Sequence, residues 1–590
     1  MSNLLPTDYQ SFIHQSRYAK YIDGKGRESW AETVGRYMDN VVRPKLGDDS
    51  WSNEIEQAIL SLDVMPSMRA MMTSGAALDR DNTAGYNCSY LPVDDPKSFD
   101  EAMFILLCGT GVGFSVERQF IQQLPEVPEL FDSETTIVVK DSKEGWAKAY
   151  RQLLALLWAG EIPKWDVSRV RPAGSRLKTF GGRASGPGPL VELFNFSVQT
   201  FKNAQGRKLS SMECHDLMCF IGQIVVVGGV RRSAMISLSN LSDDRMRHAK
   251  SGQWWETAPH RALANNSVSY TEKPDIETFM REWTALVESK SGERGIFNRE
   301  ASKAQAAKYG RRDPDWQFGT NPCSEIILRP YQFCNLTEVV VRATDTIKDL
   351  ERKVKLATIL GTIQSSYTKF PYLRKVWQRN TEEERLLGVS LTGIMDNPLM
   401  TTENSKLAGV LDELRNVAVG TNDEYASLLG IPASTAITCV KPSGTVSQLV
   451  DSASGIHARH SPYYIRTVRG DNKDPLTQFM IDQKVPNEPC VFKSDTTTVF
   501  SFPVKSPEMA ITRNDMTAIE QLETWLMYQR YWCEHKPSVT ISVRDDEWLD
   551  VGAFVYKHFD EMSGVSFLPH SDHTYQQAPY QDCGKHDYEY

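Results

Sequence analysis

The sequence predicts an α/β protein in which short apolar strands alternate with longer amphipathic helices. Strand-like segments such as 136–139 and 234–238 each stand next to a longer helix-like or apolar segment, at 144–158 and 217–227. Strands that alternate with helices in this way form parallel sheets. Gly- and Pro-rich stretches occur between these elements, where active-site loops are usually found, at 172–189, 228–231 and 441–444.

The N-terminal part of the chain predicts a helical region. Trp30, Val34 and Tyr37 follow the spacing of an apolar helix stripe, and helical patterns extend over 8–60. The alternation of strands and helices begins near residue 65, and its last apolar strand ends near residue 568. We therefore predict three parts: an N-terminal helical region at 1–64, one main α/β domain at 65–580 and a short tail at 581–590.

Length and composition exclude several classes of protein. The chain has 590 residues, of which 41% are apolar and 24% charged, and its formal net charge is −9. These values exclude collagen, coiled coils and wholesale disorder. The acidic balance argues against nucleic-acid binding, and apolar runs such as 224–227 are too short to cross a bilayer. The N-terminus lacks a secretory pattern, so we expect a soluble cytoplasmic protein with no nucleic-acid or membrane partner.

The ten cysteines form no recognisable metal-binding or redox pair in the sequence. None of them belongs to a Cys-x-x-Cys motif, so zinc ribbons, ferredoxin-like clusters and thioredoxin-type sites lack support. We therefore predict no metal site. In a reducing cytosol, a disulfide between any two of these cysteines is expected to be a catalytic intermediate.

Four loops have the composition of phosphate-binding segments. The glycine cluster at 109–113 lacks the full G-x-G-x-x-G spacing, and close backbone packing is the alternative. The basic loops at 176–183 and 228–233 suit a phosphate or a nucleotide, unless they are simply solvated. The segment 441–447 follows a strand-like segment and opens a helix, so it is either an anion site or an ordinary helix cap.

The most informative segment is 319–326, which reads Gly-Thr-Asn-Pro-Cys-Ser-Glu-Ile. Asn321, Cys323 and Glu325 alternate along it, so in extended geometry their side chains point to the same side. Together they present a hydrogen-bond donor, a nucleophile or radical site, and a base. An ordinary structural loop is the alternative. A second cysteine, Cys334, follows eleven residues after Cys323.

These motifs resemble those of the ribonucleotide reductases. The Asn-Pro-Cys-x-Glu motif of that family is matched at 321–325, with Cys334 after it and the pair Asn87 and Cys88 well before it. Further segments follow the family in the same order, at 66–69, 109–114, 178–182, 228–231, 387–389, 442–445, 454–457 and 573–580. The amino-acid sequences of 180–187 and 573–580 are most similar to those of the adenosylcobalamin-dependent branch.

The resemblance implies a ten-stranded α/β barrel with a central finger loop, here 319–326, that carries Cys323. A thiyl radical at Cys323 would abstract the 3′-hydrogen of a ribonucleotide. Glu325 would act as base on the 3′-hydroxyl, and Asn321 would hydrogen-bond the ribose. Cys88 and Cys334 would supply two electrons and end as a disulfide. The expected activity is therefore reduction of ribonucleotides to 2′-deoxyribonucleotides for DNA synthesis.

The resemblance also implies binding segments for a substrate and an effector. Ser67 and Met68 would contact the substrate. Its phosphates would be held by Pro442, Ser443, Gly444, Thr445 and Val446. A deoxynucleoside triphosphate effector would be read by Lys178, Phe180, Gly181, Gly182, Arg183, Arg231 and Arg232.

Two radical sources fit the resemblance. The sequences of the motifs favour adenosylcobalamin. The alternative is a separate ferritin-like subunit with a dimetal site, which would pass the radical through tyrosines of this chain: Tyr575 and Tyr580 late in the sequence, or the earlier pair Tyr463 and Tyr464.

The remaining partners also follow from the resemblance. A ribonucleoside di- or triphosphate is the expected substrate, and a thioredoxin- or glutaredoxin-like protein is the expected reductant. The tail holds one cysteine, Cys583, where relatives usually carry a pair. Monomeric cobalamin-dependent relatives build the effector site with a long insertion. This chain is short and lacks room for one, so we predict a homodimer.

Two other functions are weighed against this one. An inactive reductase-like barrel that only senses nucleotides would not need the complete set of cysteine, amide and carboxyl side chains. A cysteine hydrolase would pair Cys323 with His457 or His460. That reading leaves Cys88 and Cys334 without a role.

Overall fold

The computed structural model describes residues 5–22, 24–47, 50–175, 184–227, 234–570 and 577–590. Eleven of its strands form one sheet, in which ten close into a barrel. The eleventh, Val64–Met65, pairs antiparallel with Gln332–Val340 beside the ring, and we number the ten barrel strands β1–β10 in chain order. They are Cys88–Pro92 (β1), Gly111–Ser115 (β2), Met235–Asn240 (β3), Asn265–Tyr270 (β4), Gly295–Asn298 (β5), Gln332–Val340 (β6), Leu387–Thr392 (β7), Thr438–Cys439 (β8), Thr540–Val543 (β9) and Gly564–Pro569 (β10).

The barrel consists of two parallel halves, β1–β5 and β6–β10. Neighbouring strands within β1–β5 and within β6–β8 pair in parallel, as do β9 and β10. The halves meet at two antiparallel seams, β1 against β6 and β5 against β10. A parallel bridge between Val440 and Pro537, beside β8 and β9, closes the ring. Its backbone hydrogen bonds run from Val440 N to Lys536 O at 3.2 Å and from Ser538 N to Val440 O at 2.7 Å.

The strands are buried because helices cover the barrel outside and side chains fill it inside. Every position of β7 is buried, which is typical of a parallel strand covered on both faces. One cluster of buried side chains joins strands from both halves and therefore fills the interior. Its members are Cys88, Tyr90, Ile236, Leu238, Phe297, Ile326, Leu328, Cys334, Leu336, Leu386, Ala436 and Cys439.

Most of the helices follow residue 65, and the last of them lies in the predicted tail. The structure has them at Met68–Thr73, Ala76–Arg80, Lys97–Leu107, Arg118–Ile121, Lys143–Trp158, Gly188–Asn203, Ser211–Val227, Asp244–Arg247, Trp254–Thr257, Ile276–Glu288, Arg299–Ala307, Ile347–Gln364, Lys375–Glu384, Leu407–Leu429, Thr445–Val450, Pro475–Asp482, Ala518–Tyr531, Trp548–Lys557 and Lys585–Glu589. Among the described residues, none of the helices combines the length and the apolar character needed to span a membrane.

The N-terminal region packs on the barrel through four helices, which are Asp8–Arg17, Trp30–Tyr37, Arg43–Leu46 and Ser50–Leu60. The helical pattern predicted over 8–60 is wrong at one place. Tyr21–Ile22 and Gly26–Arg27 form a short antiparallel hairpin. Gly24 and Gly26 have φ of 79° and 95° there, a conformation that favours a tight turn over a helix.

Besides the N-terminal hairpin, two smaller sheets lie outside the barrel among the described residues. Between β2 and β3, Phe131–Val138 pairs in parallel with Glu161–Asp166. The second sheet is antiparallel and has four strands, in the order Asn487–Pro489, Thr497–Lys505, Tyr463–Asp471 and Tyr580–Asp582. The beginning of the predicted tail is therefore paired to the segment between β8 and β9.

Candidate active site

The finger loop lies inside the barrel and is contacted from both halves. Gly319–Thr320 pairs with Ile327–Leu328 as an antiparallel hairpin. From the first half, β2 approaches so closely that a Cβ atom on Gly113 would lie 1.7 Å from the Thr320 carbonyl oxygen. From the second half, Ser538 Oγ donates to Cys323 O at 2.5 Å. The glycine cluster at 109–113 therefore serves close backbone packing.

The tip of the finger loop is a tight turn. Ser324 N donates to Asn321 O at 2.9 Å, and Ser324 has a φ of 68°. Asn321 Oδ1 accepts from Ile326 N at 3.0 Å, a local bond that competes with extended backbone. Cys323 is exposed at this turn, whereas Asn321 and Glu325 are buried. The expectation of extended geometry, with three side chains on one side, is therefore wrong.

Cys88 and Cys334 face each other across the antiparallel seam of β1 and β6. They are direct register partners, and such partners have Cα atoms about 4.5–5.5 Å apart, within the range that a disulfide requires. Both thiols are buried, and burial raises the pKa of each well above its ordinary value. Asn321 Nδ2 lies 3.2 Å from Cys88 Sγ, which connects the pair to the finger loop.

Glu325 is a buried carboxyl group. Burial raises its pKa above the ordinary value, whereas hydrogen bonding from Asn321 and the positive charges of Lys441 and Lys536 act in the opposite direction. Within the described part of the chain, Glu325 Oε2 has no hydrogen-bond partner. A carboxylate in such surroundings accepts a proton more readily than an exposed one, which suits a general base.

Lys441 lies at the end of β8, directly before the predicted phosphate segment. Its Nζ atom is 3.6 Å from Glu338 Oε1, and Glu338 is buried. Burial lowers the pKa of Lys441, but the carboxyl groups of Glu338 and Glu325 outweigh this effect and the net shift is upward. Lys441 therefore keeps a positive charge in the barrel interior.

The predicted phosphate segment 442–446 leads from β8 into the short helix Thr445–Val450. The Ser443 carbonyl oxygen accepts hydrogen bonds from Ser454 Oγ at 2.8 Å and from Ser447 Oγ. Gly455 packs so closely that its Cβ would lie 2.3 Å from the Lys441 carbonyl oxygen. The motif at 454–457 thus packs against the segment 442–446 and hydrogen-bonds to it.

Ser67 and Met68, the predicted substrate contacts, lie at the start of the helix Met68–Thr73. Ser67 is buried, and its Oγ atom donates to Asn87 Oδ1 at 2.7 Å. Asn87 Oδ1 also accepts from Leu336 N at 3.1 Å. Ser67 therefore braces the two strands that carry the opposed cysteines, while Met68 is half-buried beside it.

One residue of this site was not identified in the sequence. Lys536 is fully buried and contacts the finger loop, whereas Cys439 is a buried thiol of the interior cluster with no hydrogen bond to the loop among the described residues. The only signal for Lys536 is a charged residue four positions before the strand β9. Its burial depends on the closing bridge of the barrel, which no local pattern predicts.

The histidines of the hydrolase reading are engaged elsewhere. His457 Nε2 accepts from Thr540 N at 3.3 Å, and His460 Nε2 is 2.7 Å from Asp582 Oδ1. The His460 ring also stacks on Tyr580, with 5.5 Å between centroids. Both histidines line a cavity of about 290 Å³ beside the four-stranded sheet, together with Tyr9, Asp451, Arg459, Tyr464, Arg466, Arg513 and Tyr580.

The predicted effector residues fall outside the described residues. They are Lys178, Phe180, Gly181, Gly182, Arg183, Arg231 and Arg232. The same holds for Tyr575, one of the tyrosines considered for radical transfer. Their roles stay predictions.

Comparisons with known proteins agree with the barrel and its motifs. Residues 118–200 match the family model described as B12-dependent ribonucleotide reductase, insertion domain. An adenosylcobalamin-dependent ribonucleoside-triphosphate reductase from Lactobacillus delbrueckii subsp. bulgaricus is 28% identical, with 98% of this chain and 90% of the relative covered. One from Euglena gracilis is 27% identical, with 98% and 82% covered.

Solved structures share the fold. The crystal structure of a B12-dependent (class II) ribonucleotide reductase matches with a TM-score of 0.84 and 24% identity, covering 98% of this chain and 93% of that one. The alpha subunit of the Actinobacillus ureae class Id enzyme matches with a TM-score of 0.58 and 13% identity, covering 96% and 98%.

The closed ten-stranded barrel with an internal finger loop is the fold of ribonucleotide reductase catalytic chains, as the sequence motifs predicted. Within that class, the chain is similar to the adenosylcobalamin-dependent reductases along nearly its whole length, and the predicted resemblance is confirmed. The comparisons do not favour the alternative branch with a ferritin-like subunit.

The expectation that the chain lacks room for an insertion is wrong. Residues 118–200 match the insertion domain, and they include the small parallel sheet between β2 and β3. The predicted homodimer was derived from that expectation. It stays a prediction, but the absence of an insertion no longer supports it.

Proposed function

We propose that this chain is a ribonucleotide reductase that converts ribonucleoside triphosphates to 2′-deoxyribonucleoside triphosphates. The observation that carries the proposal is the arrangement of three cysteines in one barrel. Cys323 is exposed at the turn of the finger loop, whereas Cys88 and Cys334 are buried opposite each other on β1 and β6. One accessible thiol serves as the radical site, and two opposed thiols serve as the reductant. The triphosphate substrate is supported by the names of the relatives.

Each side chain in the proposed reaction has a defined task. Cys323, as a thiyl radical, takes the 3′-hydrogen of the ribose and returns it at the end. Glu325 accepts the proton of the 3′-hydroxyl, and Asn321 hydrogen-bonds the ribose. The 2′-hydroxyl leaves as water while the thiols of Cys88 and Cys334 become a disulfide. One ribonucleotide and two thiols thus give one deoxyribonucleotide, one water molecule and one disulfide.

Adenosylcobalamin supplies, when bound, an organic radical that takes the hydrogen of a nearby thiol. The exposure of Cys323 fits this requirement, because Cys88, Cys334 and Cys439 are all buried. The cavity beside the four-stranded sheet offers cationic and aromatic side chains that suit the amide and phosphate groups of such a cofactor. Arg466 Nε and Arg513 Nε are two of its buried donors that lack a hydrogen-bond partner among the described residues. In our proposal, these arginines with His460 and Tyr580 contact one edge of the cofactor, because a cavity of about 290 Å³ is too small to enclose it.

The proposal assigns further segments to the other ligands. The segment 442–446 binds the substrate phosphates, with the positive charge of Lys441 directly before it. Ser67 and Met68 contact the substrate from the start of the helix Met68–Thr73. The loops at 178–183 and 231–232 bind a deoxynucleoside triphosphate effector. A thioredoxin- or glutaredoxin-like protein reduces the disulfide between Cys88 and Cys334 back to two thiols.

A single-turnover experiment tests the proposal. The reduced protein is mixed with adenosylcobalamin and a ribonucleoside triphosphate without any external reductant. We expect about one deoxynucleotide per chain, and mass spectrometry should find a peptide pair linked through Cys88 and Cys334. Cys323→Ala should give neither product nor disulfide. Product formation by Cys323→Ala, or turnover without that disulfide, would contradict the proposal.

A further inference from the structure

Lys536 is a buried ammonium group whose side chain contacts the finger loop and β5. Its side chain is fully buried. Lys536 Nζ donates to Thr320 Oγ1 at 3.1 Å and to Ser324 Oγ at 3.2 Å, on either side of Cys323. It also lies 4.7 Å from the centroid of the Phe297 ring. Within the described part of the chain, the partners of Nζ are these two hydroxyl groups and this ring, and no carboxylate forms an ion pair with it.

The backbone around Lys536 also holds the finger loop. Lys536 N donates to Glu325 O at 3.0 Å, and Ile327 N donates to His535 Nδ1 at 3.2 Å. Ser538 Oγ donates to Cys323 O. Space for the side-chain contact comes from β10, because a Cβ atom on Gly564 would lie 2.6 Å from Ser324 Oγ. The segment 535–538 therefore contacts the loop on both sides of Cys323.

The charged and titratable groups around this side chain belong to several elements. The charge of Glu325 on the finger loop acts to raise the pKa of Lys536. The charge of Lys536 in turn acts to lower the pKa of Glu325 and of His535. Glu325 is also influenced by Lys441 from the end of β8. The thiols that respond to the charge of Glu325 are Cys88, Cys334 and Cys439.

We propose that Lys536 is a positioning residue of the active site, which fixes the finger loop through Thr320 and Ser324 and favours the carboxylate form of Glu325. This inference rests on the proposed function, in which Glu325 is the base. A buried amine without an ion pair is retained at a cost to stability, because desolvation disfavours its charge. Burial lowers the pKa of Lys536 to about 7, although the charge of Glu325 acts against that shift.

The pH dependence of activity separates this role from a structural one. In Lys536→Met the positive charge near Glu325 is lost, so the pKa of Glu325 should rise. The acid limb of the pH profile of kcat/KM should move upward by about one pH unit, as expected for one charge several ångströms away. Lys536→Arg keeps the charge and should keep the acid limb of the wild type. Lys353→Met is the matched control, because Lys353 is also a buried ammonium group but pairs with Asp345 at 2.7 Å.

A second measurement does not depend on activity. The melting temperatures of the wild type, Glu325→Gln, Lys536→Met and the double variant form a thermodynamic cycle at pH 7. If Lys536 favours the carboxylate, the two substitutions should be non-additive. The melting temperature of Lys536→Met should also be higher than that of the wild type, and the difference should be largest below pH 7. This difference should shrink as the pH rises toward 10, because the folded protein loses the proton of Lys536 before the unfolded chain does.

The outcomes distinguish the inference from the proposed function. An inactive wild type would reject the proposed function, and the thermodynamic cycle would still decide whether the two side chains interact. An active wild type, with a Lys536→Met variant that keeps the acid limb, would overturn the inference and leave the function standing. Additive melting temperatures in the cycle would overturn it as well.

Discussion

At the residue scale, burial divides the cysteines of the barrel into two groups. Cys323 is exposed at the finger loop, whereas Cys88, Cys334 and Cys439 are buried in the interior cluster. Register singles out two of the buried thiols, because only Cys88 and Cys334 are direct partners across a seam among the described strands. Accessibility and register together assign a radical thiol and a reducing pair.

Substitution of the paired thiols should separate single from multiple turnover. Cys88→Ser cannot form the disulfide, so deoxynucleotide formation should fall by about 100-fold or more in a steady-state assay with dithiothreitol. Cys439→Ser is the matched control, since it removes a thiol from the same cluster without touching the pair. Its turnover should stay within about threefold of the wild type. Equal losses in both variants would argue against a specific role for Cys88.

Glu325 supports a prediction on activity and on stability. Glu325→Gln should lower turnover by about 10²–10⁴-fold, because it removes the base. Burial raises the pKa of Glu325 in the folded protein. Its stabilising contribution is therefore present below the unfolded pKa and lost as the pH rises through the folded value.

Melting temperatures measured across pH test the stability part. Glutamine does not titrate, so the melting temperature of Glu325→Gln should rise relative to that of the wild type as the pH increases above the ordinary pKa of 4.5. A gain in the opposite direction would show that the carboxylate is stabilised in the folded protein.

Much of the candidate site could be predicted from residue types and their spacing. The amide, thiol and carboxyl groups at 321–325 were identified from their spacing, and the pair of Cys88 and Cys334 came from the family resemblance. The tight turn at Ser324 and the burial of Lys536 were not. The turn depends on a hydrogen bond between Asn321 and Ile326, and Lys536 is buried by the closure of the barrel. The turn requires a local hydrogen bond that replaces extended backbone, and the burial of Lys536 requires segments that are distant in the sequence.

At the element scale, the position of the finger loop depends on the absence of a side chain at one site on β2. Gly113→Ala would place a Cβ atom 1.7 Å from Thr320 O, so the hairpin must shift. We expect a loss of about 1–3 kcal/mol in stability. A shift of about 1 Å at Cys323 should lower turnover by about 100-fold.

The same substitution elsewhere provides the control for Gly113→Ala. Gly420 lies in the exposed part of the helix Leu407–Leu429, and no atom lies within 4 Å of a Cβ built there. Gly420→Ala should stabilise the protein by about 0.5–1 kcal/mol with unchanged turnover. Wild-type activity in Gly113→Ala would show that the finger loop tolerates displacement.

Secondary structure was predictable where local patterns are strong. The long helix Lys143–Trp158, which was predicted at 144–158, combines an N-cap residue with apolar spacing. The strand β8 has only two residues, and its place in the barrel depends on pairing with β7 and on the bridge at Val440. The number of strands therefore came from the family resemblance and not from local patterning.

At the scale of the whole molecule, the insertion between β2 and β3 changes the expectation for assembly. The homodimer was predicted because the chain was taken to lack this insertion, which the match at 118–200 contradicts. Sedimentation with and without a deoxynucleoside triphosphate tests the remaining prediction. A dimer that forms with effector would support it, and a monomer at all concentrations would reject it.

The central claim is that this single chain reduces ribonucleotides with adenosylcobalamin as its radical source. The most direct test is turnover of the isolated wild-type chain with a ribonucleoside triphosphate, dithiothreitol and adenosylcobalamin. Our account predicts that deoxynucleotide forms repeatedly under these conditions and that omission of the cobalamin abolishes it. No product with cobalamin, together with product when a metal-loaded ferritin-like subunit is added, would contradict the account.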